Sequence, residues 1–128
     1  GGVARNYFNC ARVEEINKTI EETIKKKGVI LNGWNFCPEV DESYVSLHKG
    51  IDFDYQYIKK ETKRKPSLQM VSDILQRENL NISNFEKIIM IGDGEDDRLL
   101  AKNLQCPFID VKEKDYKDLK KEFGSLRW

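Results

Sequence analysis

The chain has 128 residues, 39% of them hydrophobic, with six Phe, five Tyr and two Trp, enough apolar bulk for the core of one compact domain. Its 22 Lys and Arg are balanced by 22 Asp and Glu, so the composition carries no electrostatic footprint for duplex nucleic acid or an anionic membrane. No apolar run approaches the ~20 residues of a membrane helix, and the basic-then-apolar pattern of a secretory signal is not found in the first residues.

The first predicted element is a helix from about Ala11 to Lys27, where Val13, Ile16, Ile20 and Ile24 fall on one stripe. Acidic residues crowd its early turns and Lys25 to Lys27 its end, which suits the helix dipole, and Gly28 supplies the stop. Val29 to Cys37 reads as a strand. Residues 38–63 mix acids, aromatics and lysines without a clean period and read as a long excursion over one edge of a sheet.

Order returns at Lys65-Pro66-Ser67, where Pro suits the first turn of a helix. Leu68, Val71, Ile74 and Leu75 continue it as an apolar stripe toward Asn79. Lys87 to Asp93 contains four consecutive bulky apolar residues and reads as a strand buried on both faces. A helix from about Glu95 to Leu104 follows, with Leu99, Leu100 and Leu104 inward, then a short strand over Pro107 to Val111. Tyr116, Leu119 and Phe123 mark a last helix. The alternation predicts an α/β fold, a Rossmann-like three-layer α/β/α sandwich with a parallel sheet, in one continuous domain.

The densest chemical signal is Gly92-Asp93-Gly94-Glu95-Asp96-Asp97, at the carboxyl end of the most apolar strand, where parallel sheets place ligand sites. Carboxylates so close repel one another unless a cation or a helix N-terminus offsets them. Two readings stay open: an acidic turn that caps the next helix, or a site for Mg²⁺, which favours one or two carboxylates plus phosphate and water. An EF-hand is a poor alternative, because Arg98 stands where the loop needs Gly. The second signal is Lys63-Arg64-Lys65-Pro66, either a solvated basic run or a lysine holding a phosphate at a helix start. Cys10, Cys37 and Cys106 are spaced too irregularly for a disulfide framework and fit a reducing, cytoplasmic setting. His48 is the only histidine, so a zinc site would have to assemble from scattered residues.

Taken together and in order, three blocks resemble the haloacid dehalogenase-like phosphatases, in particular the histidinol-phosphate and heptose-bisphosphate phosphatase group. Gly1 to Phe8 is similar to the stretch just after that group's second motif, Arg64-Lys65-Pro66 to the third, and Gly92-Asp93 with Asp97 to the fourth. The resemblance implies that Lys65 neutralises and positions phosphoryl oxygens. Asp93, with Asp97 directly or through water, would hold Mg²⁺, and Arg5 and Arg64 would contact substrate. The reaction implied is hydrolysis of a small phosphorylated metabolite. Such enzymes open with an apolar strand ending in Asp-x-Asp, whose first Asp attacks phosphorus and whose second is the general acid/base.

Asp52-Phe53-Asp54 has those letters, but it follows His48-Lys49-Gly50-Ile51, which cannot be a buried strand, and lies too close to Lys65. Residues 1–128 are therefore expected to form the C-terminal part of such a domain without its nucleophile strand, inactive alone. An exposed sheet edge would then pair with a complementary N-terminal fragment or a second copy. Structural zinc is not expected, since Glu39 replaces the His of the group's Cys-x-His pair after Cys37 and the later Cys-x-Cys pair is missing. The alternative from another class is a non-catalytic half-domain that binds phosphate or a partner. A further one is an unrelated Rossmann-like domain with an acidic turn of its own.

Overall fold

The structure is a computed structural model and describes residues 1–112. It is mixed α/β and falls into two compact units, Gly1–Arg64 with Gln69–Leu80, and Lys65–Leu68 with Asn81 onward. The expected last helix around Tyr116, Leu119 and Phe123 lies outside the described residues. No helix among the described residues is long and apolar enough to cross a membrane.

The first unit begins with a short run of turns and then helix α1, Cys10–Lys25. Asn9 caps it: the side-chain oxygen accepts the Arg12 N–H at 2.9 Å. Past Lys25 the chain closes on itself, Gly28 N–H reaching Lys25 C=O at 3.0 Å, and Gly28 takes φ +81°, which a side chain would resist. The predicted stripe is only partly used. Val13 and Ile24 are half-buried together with Asn17 and Glu21, whereas Ile16 and Ile20 remain exposed. The packed face is thus rotated from the apolar one.

Val29 to Cys37 is not a strand. Val29 and Ile30 are exposed, Ile30 by 75%. The physical reason is a missing ladder: an apolar run fits a strand only where a neighbour pairs with it. Side-chain bonds hold the segment instead. Asn35 Nδ2 donates to Met70 C=O at 3.2 Å, and the Arg77 guanidinium donates to Trp34 C=O at 3.2 Å. Both donors and acceptors bridge to helix α3, Gln69–Arg77.

Residues 38–63, expected as an excursion, hold the buried core of this unit. Val40 and Ile58 form an isolated parallel bridge, with Val40 N–H to Tyr57 C=O and Lys59 N–H to Val40 C=O each at 2.9 Å. Helix α2, Glu42–Leu47, is capped by Asp41, whose carboxylate accepts the Tyr44 N–H at 2.7 Å. A 3₁₀ turn spans Tyr55–Tyr57. Ala4, Val40 and Phe53 are buried together, and Tyr44, Val45, Ile51, Tyr57 and Ile58 pack around them.

The second unit contains a 3₁₀ turn at Ile82–Asn84, strand β1 (Met90–Gly92), helix α4 (Glu95–Asn103) and strand β2 (Phe108–Asp110). The strands are parallel, with Met90 opposite Phe108 and Gly92 opposite Asp110. Parallel neighbours need a crossover, and α4 provides it. Leu100, Ala101 and Ile109 form the buried contact between helix and sheet. The expectation of a strand buried on both faces fails at Ile91, which is 46% exposed, and Leu99 points outward rather than inward. Both strands are shorter than their apolar runs, because pairing extends over only three residues.

Candidate functional site

The acidic turn after β1 is built around Asp97. Gly92 ends the strand, and Gly94 in extended conformation leads into α4. From the first turn of that helix the Asp97 side chain reaches back under the loop. Its Oδ2 accepts the backbone N–H of Asp93 at 3.1 Å and of Gly94 at 3.2 Å. Its Oδ1 pairs with the Lys65 ammonium in a short ion pair. Asp97 is only 5% exposed. Burial pushes its carboxyl up, but the Lys65 hydrogen bond and the two backbone N–H groups outweigh this and hold it below the usual aspartate range. Gly92 is required here. A Cβ on it would lie 2.5 Å from Asp97 Cβ, Cγ and Oδ2.

The other carboxylates of the turn behave differently. Asp93 extends its side chain into solvent, 65% exposed, with Lys112 Nζ 3.7 Å away. Glu95 lies 3.6 Å from Arg98, which also donates to Asp110 at 2.9 Å and covers the Phe108 ring at 4.8 Å. Among the described residues no three His, Cys, Asp or Glu side chains converge as a metal cage would. Asp93 and Glu95 both extend their carboxylates to solvent, while Asp97, beside Asp93, already gives its two oxygens to Lys65 and the backbone.

Lys65 and Asp97, 32 residues apart in sequence, are brought together in this ion pair. The position of Lys65 differs from the expectation in one respect. Helix α3 starts only at Gln69, so Lys65 is not in a first helical turn. The segment Lys65–Leu68 belongs with the acidic turn in the second unit, where Asn103 Nδ2 donates to Pro66 C=O at 3.0 Å.

Arg5 and Arg64 meet in the first unit, on the ring of Tyr44. Their guanidinium carbons lie 5.0 and 4.9 Å from its centroid, and Arg5 also donates to the Tyr44 hydroxyl. Arg5 Nε is buried without a hydrogen-bond partner among the described residues. His48 stacks on the same tyrosine, 4.1 Å between ring centroids, and Phe53 meets it edge-on. Sequence reasoning named both arginines but not Tyr44, which joins them; it sits in the stretch without periodicity, and no local signal marks it. Asp52-Phe53-Asp54 serves local structure: Phe53 is core, and Asp54 accepts the Gln56 N–H at 3.1 Å to cap the 3₁₀ turn.

Comparison of the chain with family models, with curated proteins and with solved structures gives no match.

Proposed function

We propose that this chain carries the phosphate- and magnesium-binding part of a phosphatase-like domain, a three-layer α/β/α sandwich when complete, that hydrolyses the phosphate monoester of a small metabolite. The observation that carries this reading is the ion pair between Lys65 and the inward Asp97 at the carboxyl end of β1. A lysine ammonium has three donors. One is held on Asp97, which fixes the side chain and leaves the rest for phosphoryl oxygens. Asp93 would be the direct ligand of Mg²⁺, and Asp97 would act through water, since its oxygens are engaged. The bound ion would neutralise charge gathering on the phosphoryl oxygens. Arg5 and Arg64, paired on Tyr44 in the first unit, would serve as an anion contact in their own right. Attack on phosphorus needs a carboxylate on an Asp-x-Asp strand, which a complementary segment or another chain would supply through an unpaired sheet edge.

A second reading has its own observation. Every oxygen of Asp97 is already satisfied by the chain, as a purely structural turn would have it. On that reading the unit is a non-catalytic module that binds phosphate or a partner.

The experiment is calorimetric titration of inorganic phosphate with Mg²⁺ into the wild type, Lys65→Ala and Asp93→Asn, alongside turnover of a generic aryl phosphate. Intact mass of the purified material shows whether an Asp-x-Asp segment accompanies it. The proposal expects phosphate affinity to fall at least about tenfold in Lys65→Ala, the loss of one charge-assisted contact. Asp93→Asn should abolish the Mg²⁺ dependence. Unchanged phosphate and Mg²⁺ binding in both folded variants would remove the phosphatase reading. Binding that depends on both residues without turnover, even with an Asp-x-Asp segment present, would establish the non-catalytic one.

A further inference from the structure

A cavity of about 240 Å³ opens in the first unit, where the turns before α1 meet the 3₁₀ turn at Tyr55–Tyr57. Its polar wall consists of Asn6, Asn9, Asp54, Gln56 and Tyr57, and Phe8 supplies an aromatic edge. The wall is fixed by backbone bonds. Asp54 N–H donates to Ala4 C=O at 2.8 Å, Asn6 N–H to Val3 C=O at 2.9 Å, and Tyr57 N–H to Asp54 C=O at 3.0 Å. Asn6 is held at φ +57°, a conformation Asn tolerates better than most residues.

The bonds already made determine what remains. Asn9 spends its oxygen on the Arg12 N–H and keeps its NH₂ as a donor. Gln56 spends its NH₂ on Asp54 at 2.6 Å and keeps its carbonyl as an acceptor. Asp54 retains lone pairs beyond the two bonds it accepts from Gln56. Asn6 donates only a long bond of 3.4 Å and leaves its carbonyl oxygen open. The lining therefore offers an amide donor, amide acceptors, one carboxylate and two aromatic rings.

We infer that this cavity binds a neutral polyhydroxylated molecule of about one sugar ring. Hydroxyl groups both donate and accept, so they can satisfy a carboxylate, amide carbonyls and an amide NH₂ at once. The ring's C–H surface would lie against Phe8 or Tyr57. An anion would meet the Asp54 charge, and an apolar guest would leave the amides unpaired at a cost. The volume is below the ~300–1,000 Å³ of drug-sized sites, which favours a single ring. The inference does not rest on the phosphatase reading, because none of these residues belongs to the Lys65–Asp97 turn or the arginine pair.

The test is saturation-transfer NMR and calorimetry on the whole chain with glucose, mannose, ribose and myo-inositol as probes, and methylammonium as a cationic control. Binding of at least one polyol is expected. Asn6→Gly, which keeps the backbone conformation, and Gln56→Ala should each weaken it about tenfold, the effect of one lost hydrogen bond to a ligand. Circular dichroism verifies that both variants fold. No saturation transfer to any polyol would overturn the inference, as would methylammonium binding in their place. Polyol affinity unchanged in both folded variants would place the contact elsewhere and overturn it equally.

Discussion

The acidic turn and the arginine pair face the same electrostatic problem and meet it in opposite ways. In the second unit, four carboxylates crowd the start of α4. The one that turns inward receives two backbone N–H groups and a lysine, while Asp93 extends to solvent. In the first unit, two guanidinium groups share one tyrosine ring, and Arg5 keeps a buried Nε without a partner among the described residues. A buried donor without an acceptor costs about 1–3 kcal/mol. The turn is closed by its own chain. In the arginine pair, Arg5 keeps a donor without an acceptor among the described residues, and under the proposed function an anionic ligand would accept from it.

The largest effect should come from undoing the closed side. Asp97→Ala strands two backbone N–H groups and leaves Lys65 without its counter-charge. Lys65 is 39% exposed and can recover water, so the cost should be about 2–3 kcal/mol rather than the full penalty of a wholly buried pair. Urea denaturation at neutral pH measures it; a change under about 0.5 kcal/mol would mean the pair contributes as little as a surface contact. The sign of its pH dependence follows from the lowered Asp97 pKa. The stabilisation is fully present above the unfolded aspartate value, near ~3.9, and is lost as pH falls through the depressed folded value. Wild type and Asp97→Ala should therefore converge in stability toward strongly acidic pH.

Gly92→Ala tests the same turn by steric means. The added methyl would sit 2.5 Å from three atoms of Asp97, including its Cβ, which cannot swing away without moving α4. A loss of about 1–2 kcal/mol is expected, smaller than for Asp97→Ala because the loop can yield partly. If Gly92 matters through Asp97, the double variant Gly92→Ala/Asp97→Ala should cost less than the sum of the single changes.

On the open side the expected effect on stability is smaller still. Arg5→Met removes a cation–π contact and the hydrogen bond to the Tyr44 hydroxyl but also a buried N–H without a partner among the described residues, so stability without ligand should change by no more than about 1 kcal/mol. Its signature lies in ligand response. Phosphate should raise the wild-type melting temperature by mass action, and Arg5→Met should lose part of that shift, while Lys65→Ala loses the part due to the acidic turn. An equal shift in both proteins would show that the arginine pair is not where the anion binds.

What could be read in advance followed how local each signal was. Helix α1, helix α4 and the two strands were legible because their stripes and apolar runs are complete within a few turns of chain. The turn from Gly92 to Asp97 was legible for the same reason, though not that Asp97 alone would turn inward. The core of the first unit was not legible. It depends on Ala4, Val40 and Phe53, scattered along the sequence, and on a single bridge between Val40 and Ile58 that no periodicity announces. Tyr44 escaped notice likewise, since its importance comes from two arginines distant in sequence.

The segment from Val29 to Cys37 gives the smallest effect and the sharpest contrast, because sequence and structure disagree on it. As a strand in a packed sheet, Ile30 would lie in an apolar setting, and a buried charge there would cost several kcal/mol. In the structure Ile30 is 75% exposed and belongs to no strand. Ile30→Asp should then change stability by no more than about 0.5 kcal/mol, as surface substitutions do. Phe36, half-buried and stacked with Trp34 at 6.3 Å, supplies the internal control: Phe36→Asp should destabilise clearly more. Comparable losses at both positions would restore the strand and place a pairing partner along it. A loss at Phe36 alone would mean that side-chain bonds from α3, not a sheet, hold this segment.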